Sequence, residues 1–413
     1  MTWVLILALG LLASQPARAA DAPANEPTDW PSLISRLQQQ LERLPGHAAT
    51  RKQLATAHNN YGVSLANQQQ LELAAGELEE AIRLDPSDPQ FRRNLAAIIL
   101  QKAQGVYEAR KMKDAKELLE QVVTLNPDDA SAYILLGEIE YNSQRLKEAR
   151  AAWERALALN PELPELRTKL DQLNQELPVE SQFEKLTQIY FDIRYAEEIP
   201  RAQSVDIRDQ LLTARRDVGS DFQHWPKHRL VVLVYSAAQF RAVRQQMPDW
   251  VAGQYDGKIR VPLPGDGLDS EAVKRILTHE YTHAVVHDLT QHHCPVWLNE
   301  GLAEYQAWKR QIPPWPMLRQ ALANHTVIPW ADLSQMFSTS SLGPDVALAY
   351  EQSHSIVHYL AERYGFWRFR RLLKVLASQA PWEQALADEF HTKVGRLEMN
   401  WKQWLSDRLG SPS

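Results

Sequence analysis

Cysteine is nearly absent: Cys294 is the only one among 413 residues, which excludes an internal disulfide and a lipid-bearing cysteine near the N-terminus. A basic excess is also missing. The formal net charge is -6, the reverse of a surface built to neutralise phosphates, so no nucleic acid is expected as a partner. Long apolar runs are absent too. The N-terminal run Trp3 to Ala13 is far shorter than the roughly 20 residues that span a bilayer, so no transmembrane segment is expected after processing.

That run is followed by Gln15, Pro16 and the small-residue pattern Ala17-Arg18-Ala19, which reads as a signal peptide over residues 1–19, although its first residues lack Lys and Arg. The expected location is therefore periplasmic or secreted. An exported chain without disulfides must rely on core burial, and this length permits two domains. Residues 20–31, rich in Ala, Pro, Asp and Glu, read as a flexible leader.

Residues 32–177 read as helical throughout, broken by Asp-Pro or Asn-Pro steps at Pro86, Pro127 and Pro161. Pro127 and Pro161 stand 34 residues apart, a repeat period at which paired helices need small residues to pack closely. Gly137, Ala149, Trp153 and Ala156 precede Pro161; Gly62, Ala74 and Ala81 precede Pro86; Ala115 precedes Pro127 in a middle unit about seven residues longer. That middle unit needs an extended first helix or turn. Over roughly residues 50 to 165 the matching positions resemble the tetratricopeptide family. The resemblance implies three stacked repeats, one irregular, that hold a protein partner or a substrate.

After Pro178 the pattern becomes mixed. Phe191 to Ala196 alternates as a strand, Ile207 to Phe222 has helical spacing, and Arg229 to Tyr235 is a continuous apolar run suited to a buried strand. Gln254 to Val261 contains an Asp256-Gly257 turn signal and a short strand, and from Ser270 onward the chain reads as almost wholly helical. Residues 180–410 thus form the second expected domain.

Within the helix from Ser270, His279-Glu280-Tyr281-Thr282-His283 sets two imidazoles one turn apart on one face, where both can chelate one ion. Glu280 lies on the flank of that face, displaced from the chelate but able to reach a water activated there, the geometry of a general base. Zinc suits such a site, because it accepts imidazole and carboxylate ligands without redox change. A third ligand must come from elsewhere. The run Trp297-Leu298-Asn299-Glu300-Gly301-Leu302-Ala303-Glu304-Tyr305 offers a carboxylate on a second helix.

The two segments together resemble the gluzincin peptidases, especially the peptidase-MA-like group. The resemblance implies an α+β, mainly helical chain: a tetratricopeptide-like solenoid, then a gluzincin-like domain with a small mixed sheet and a helical C-terminal subdomain. It implies one zinc ion per chain held by His279, His283 and Glu300, with Glu280 as base and Glu304 orienting His279 from behind. It also implies a downstream donor to the developing oxyanion, for which Tyr350 is the candidate and His354 the runner-up. Tyr350 packing an amphipathic helix is the competing reading.

Val286 and Leu289 stand where the metzincin pattern needs glycine and a third histidine, which excludes that variant. His287 lies about 12 Å along the helix from His279, too far to share one ion, and reads as structural or rim-lining. His292 and His293 read as a solvated loop pair, Cys294 as an inert small hydrophobe. The strand Gly253 to Val261 precedes the metal helix, and the gluzincin resemblance implies that it is the edge strand that binds an extended substrate through its main chain. Trp308, Trp315 and Trp330 line a cleft or fill helix contacts. The Gly-x-Met-x-Asn motif of the aminopeptidase relatives is missing, so amino-terminal trimming is not supported. The expected function is zinc-dependent peptide-bond hydrolysis with the repeats recruiting substrate or partner protein. The alternatives are a catalytically silent zinc-containing scaffold in the envelope, or an amidase acting on an envelope polymer.

Overall fold

The computed structural model describes residues 29–243, 254–263, 270–308, 311–337 and 344–410. The expected signal peptide and nearly all of the leader lie outside them. The chain divides between Leu177 and Pro178 into two compact units.

The first unit is helical. α1 (Trp30–Arg43) precedes three hairpins, α2 (Ala48–Asn67) with α3 (Leu71–Leu84), α4 (Pro89–Glu108) with α5 (Met112–Leu125) and α6 (Ala130–Asn142) with α7 (Leu146–Leu159); α8 (Pro164–Glu180) follows. Asp88 and Asp129 start α4 and α6 by accepting the backbone N–H of Gln90 and Ala132, and the prolines at Pro89 and Pro164 sit where a helix start lacks an N–H partner anyway. Each hairpin turns through one left-handed residue, Gln69, Arg110 and Gln144. Counted back from those turns, Gly62, Ala103 and Gly137 occupy the same place, and each inner helix meets its partner there.

The middle first helix is long as expected, at 20 residues, but α2 has the same length, and the irregular member is the 13-residue α6. The extra turns sit at the helix starts, away from the conserved-register hairpin ends, so the hairpins still pair alike. At α6 the packing partner is Trp153, where α3 and α5 place Leu78 and Leu119. A Cβ on Gly137 would fall 2.1 Å from the Trp153 indole, whose Nε1 donates to the Ile134 carbonyl at 3.3 Å. The ring cannot swing away without losing that bond. Gly137→Ala should destabilise this unit by about 1–3 kcal/mol, read as a lower melting temperature, and an unchanged melt would refute the packing argument.

The second unit begins with the helical interior residue Pro178, since α8 runs on to Glu180. Its five-stranded sheet has the order β1-β2-β3-β5-β4, from β1 (Glu184–Thr187), β2 (Phe191–Tyr195), β3 (Leu230–Ser236), β4 (Gln254–Tyr255) and β5 (Ile259–Leu263). β2, β3 and β5 run parallel, and β1 and β4 close the two ends antiparallel. α9 (Arg201–Phe222) connects β2 to β3 and starts earlier than its apolar spacing indicates; β1, with three of its four residues exposed, carries no sequence signal. β3 is buried on both faces, with Val232 and Val234 facing one core and Val231, Leu233 and Tyr235 another, which explains its unbroken apolar run.

α10 (Ala237–Val243) covers the second face, and the remaining helices are α11 (Ser270–Thr290), α12 (Val296–Ala307), α13 (Pro316–Ala323), α14 (Leu333–Met336), α15 (Pro344–Tyr364), α16 (Trp367–Leu376), α17 (Trp382–Phe390) and α18 (Val394–Leu409). The expected strand from Gly253 is two strands joined at Asp256-Gly257, where Gly257 takes φ +100°. β5 is paired on both sides, so the edge is the two-residue β4; Gly253 lies outside the described residues. α11 packs against α9, α12, α16 and the β4-β5 hairpin. Every residue from Glu280 to His287 is buried, as befits a helix enclosed all round.

Candidate metal centre

Three helices meet at the site. α11 brings His279, Glu280 and His283; α12 brings Glu300 and Glu304; α15 brings Tyr350. Gly301 makes the meeting of α12 and α15 possible, because a Cβ there would lie 2.5 Å from the Ser353 carbonyl oxygen. The glycine after Glu300 is thus a requirement of helix approach.

His279 Nε2 and His283 Nε2 are 3.0 Å apart, and each lies 3.4 Å from Glu300 Oε2. Among the described residues these three form the one group of His, Cys, Asp or Glu side chains able to hold a metal ion. A tetrahedral ion with bonds of about 2.0–2.1 Å requires donor separations of roughly 3.3 Å, and the triangle matches that requirement. Glu300 Oε2 is buried with no hydrogen-bond partner among the described residues. Two imidazole nitrogens held together around such an oxygen form a donor set that fits zinc.

The electrostatics follow from burial and charge. Burial works against the Glu300 carboxylate, yet His283 and His279 hold it well below the usual carboxylate range. Burial likewise opposes charge on His279, but Glu300 and Glu304 outweigh it and hold the imidazole well above its ordinary value; His283 is raised in the same way by Glu300. Glu280 behaves differently. Burial pushes its carboxyl up to about 7, against the pull of both histidines and with help from Glu300 and Asp256. Its Oε2 is buried and has no hydrogen-bond partner among the described residues.

Glu304 Oε1 lies 3.1 Å from His279 Nδ1, and Glu304 Oε2 accepts from Trp308 Nε1 at 3.1 Å. Accepting the Nδ1 proton leaves Nε2 of His279 free to face the triangle. The Tyr350 hydroxyl is held well above its ordinary pKa by burial and by the charges of Glu300, Glu304 and Glu280. Its ring packs edge-on against Phe337. His354, one turn on, is buried behind it, where Trp315 Nε1 donates to its Nδ1 at 3.4 Å, and burial lowers its pKa to about 4. Both Tyr350 and His354 feel the charge of Glu304, and His354 is the more deeply buried of the two.

Other expectations are corrected or refined. Trp315 and Trp330 line no cleft: both are buried, Trp330 against Trp297 and Trp401. His287 is structural, its Nδ1 2.6 Å from that of His292 and its ring edge-on to Tyr255. His292 and His293 tie down the end of α11 through left-handed backbone at His292 and a contact of His293 Nδ1 with the Thr290 carbonyl. Burial pushes the Cys294 thiol far up, in keeping with an inert side chain. Two residues do more than their sequence signals indicate: the turn signal at Asp256 hides its charge on Glu280, and Trp308, with a cleft or a helix contact expected of it, continues the four-residue spacing of Glu300 and Glu304 and donates to Glu304.

No curated protein matches the chain. Similar solved structures are the tetratricopeptide-repeat domain of Arabidopsis OM64, 20% identical over 30% of this chain and 98% of its own with a TM-score of 0.23; the first such domain of human RPAP3, 24% identical over 31% and 94% with a TM-score of 0.22; and MamA from Desulfovibrio magneticus RS-1, 23% identical over 37% and 87% with a TM-score of 0.23. Residues 47–98 and 100–164 match the tetratricopeptide repeat, and residues 248–407 match the Peptidase MA superfamily, a stretch that holds α11, α12 and α15 but begins after β3. The chain thus joins tetratricopeptide repeats to a Peptidase MA superfamily domain whose matched residues include all those gathered at the site.

Proposed function

We propose that the second unit hydrolyses peptide bonds with one zinc ion held by His279, His283 and Glu300. The observation that carries this reading is the triangle of donors at 3.0, 3.4 and 3.4 Å with a buried, unpaired carboxylate beside it. Zinc in such a site supplies Lewis acidity, acidifying water and polarising a carbonyl. Glu280 takes the proton from the attacking water and passes it to the amine as the C–N bond breaks. Tyr350, whose raised pKa keeps its O–H intact through any working pH, donates to the carbonyl oxygen as negative charge develops. Glu304 holds His279 in the ligating tautomer.

Tetratricopeptide repeats are interaction modules, and in this reading they recruit the protein to be cut. Deleting residues 31 to 177 should weaken action on a folded protein and spare a short peptide; equal loss on both would refute recruitment. The reaction is placed outside the cytoplasm on the strength of the Ala17-Arg18-Ala19 pattern, and the N-terminus of recovered protein decides whether cleavage follows Ala19.

Metal content of purified wild type, measured with cleavage of an unstructured protein and of cell-wall fragments, tests the proposal. About one zinc per chain with cleavage of the protein supports it. Cleavage of cell-wall fragments alone turns the hydrolase into an amidase, and zinc without any hydrolysis leaves a scaffold. Acid should oppose loading. Because Glu300 and Glu304 raise the imidazole pKa values, protons compete with metal from above the ordinary histidine range downward. Zinc affinity should weaken roughly ten- to a hundredfold per pH unit as pH falls through that range, for one to two protons taken up. Chelator competition at three pH values measures it, and a flat profile would exclude histidine ligation.

A further inference from the structure

The carboxylate of Glu304 is held at both oxygens. Oε1 faces His279 Nδ1 at 3.1 Å, and Oε2 accepts the indole N–H of Trp308 at 3.1 Å. A carboxylate held at one oxygen can still rotate about its terminal torsion; held at both, it cannot. Trp308 caps the end of α12 just past Ala307, one turn beyond Glu304, so the indole reaches back along the helix face that carries Glu300 and Glu304. The ring is fixed from its other side by α11: the Arg275 guanidinium stands 5.1 Å from the Trp308 ring centre. Arg275 is itself one turn before His279. A connected series therefore runs Arg275, Trp308, Glu304, His279, crossing between the two helices that supply the three donors.

We infer that Trp308 is a positioning residue that sets the metal affinity of this site by fixing Glu304, with Arg275 holding the indole in place. The inference rests on the metal reading above. Outer hydrogen-bond partners of a ligating histidine typically change metal affinity by ten- to a hundredfold. Trp308 acts one bond further out, through one oxygen of Glu304, so the lower end of that range applies.

The test measures zinc dissociation constants of the full chain by competition with a chromophoric chelator, for wild type, Trp308→Phe, Glu304→Gln and the double variant. Phenylalanine keeps an aromatic face for Arg275 while removing the N–H donor together with part of the ring, and the metal-free melting temperature separates the two losses. The expected results are about tenfold weaker zinc binding in Trp308→Phe, a metal-free melting temperature unchanged from wild type, and no further loss when Trp308→Phe is added to Glu304→Gln. Affinity within twofold of wild type, or a loss that adds in full to that of Glu304→Gln, would overturn the assignment. A lower metal-free melting temperature with unchanged affinity would make Trp308 a packing residue and overturn it as well. A wild type that binds no zinc would instead overturn the metal reading, and this assignment with it.

Discussion

Glu280→Gln is expected to keep about one zinc per chain and to lose hydrolysis by roughly 10²–10⁴, the usual contribution of a positioned general base. The amide copies the shape of the carboxylate and sits outside the triangle of His279, His283 and Glu300, so the donors are unchanged. It cannot accept the proton that the reaction releases. A second effect distinguishes loss of a base from loss of a fold. The Glu280 carboxyl is raised in the folded chain to about 7, chiefly by burial, so the folded state binds its proton more tightly than the unfolded state. That contribution to stability is present at pH 4.5 and is lost as pH rises through about 7. Glutamine has no charge to bury. The metal-free variant should therefore gain in melting temperature over metal-free wild type between pH 5 and pH 8, while its activity stays absent across the range. Retained activity would remove Glu280 from the mechanism.

Gly301→Ala should force α12 and α15 apart. The new Cβ would stand 2.5 Å from the carbonyl oxygen and 2.8 Å from the carbonyl carbon of Ser353, and 2.8 Å from Val357 Cγ2. Two of these three are backbone atoms, which cannot turn aside, so α12 and α15 must separate. Overpacking of this kind costs about 1–3 kcal/mol, a fall of roughly 2–12 °C in melting temperature for a unit of this size. The chemistry suffers more, because α12 carries Glu300 and α15 carries Tyr350, and a displacement on the order of 1 Å can cost about a hundredfold in rate. Gly395→Ala is the control: a Cβ there has open space within 4 Å, and the change should be neutral or slightly stabilising. Equal melting temperatures for the two variants would show that the helices are not locked at Gly301.

Much of this was legible in the residues. Helical spacing put His279 and His283 on one face, small residues such as Ala74, Ala115 and Ala149 marked the hairpin contacts, and the apolar run in β3 announced a strand with no solvent face. What escaped reading depended on distant partners. Glu184–Thr187 forms a strand only because Phe191–Tyr195 offers it an edge, and its exposed side chains leave no alternation to detect. Asp256 raises Glu280 on α11 from the turn between β4 and β5, a relation that no local pattern records. Tryptophans are ambiguous for the same reason: Trp315 and Trp330 are core, whereas Trp308, of the same composition and neighbourhood, touches the site. The equal lengths of α2 and α4 are legible in the prolines once Pro45 is included, since Pro45, Pro86 and Pro127 stand 41 residues apart and Pro161 follows at 34, and the extra residues sit at helix starts that vary without disturbing the hairpin ends.

The crossover from β2 through α9 to β3 has a consequence for how the protein forms after dilution from denaturant. In the first unit each helix from α1 to α6 pairs with the next along the chain, so these contacts close short loops, as in helical folds that form in microseconds to milliseconds. The parallel pairing of Phe191–Tyr195 with Leu230–Val234 must first close a loop that contains all of α9, and β5 then adds beyond a further interval. Such pairing is slow because the entropy of loop closure is lost before the contacts reward it. In a stopped-flow record, most far-ultraviolet ellipticity should therefore return before α11 finds the sheet on which it rests, and the ability to bind zinc should be among the last signals to recover.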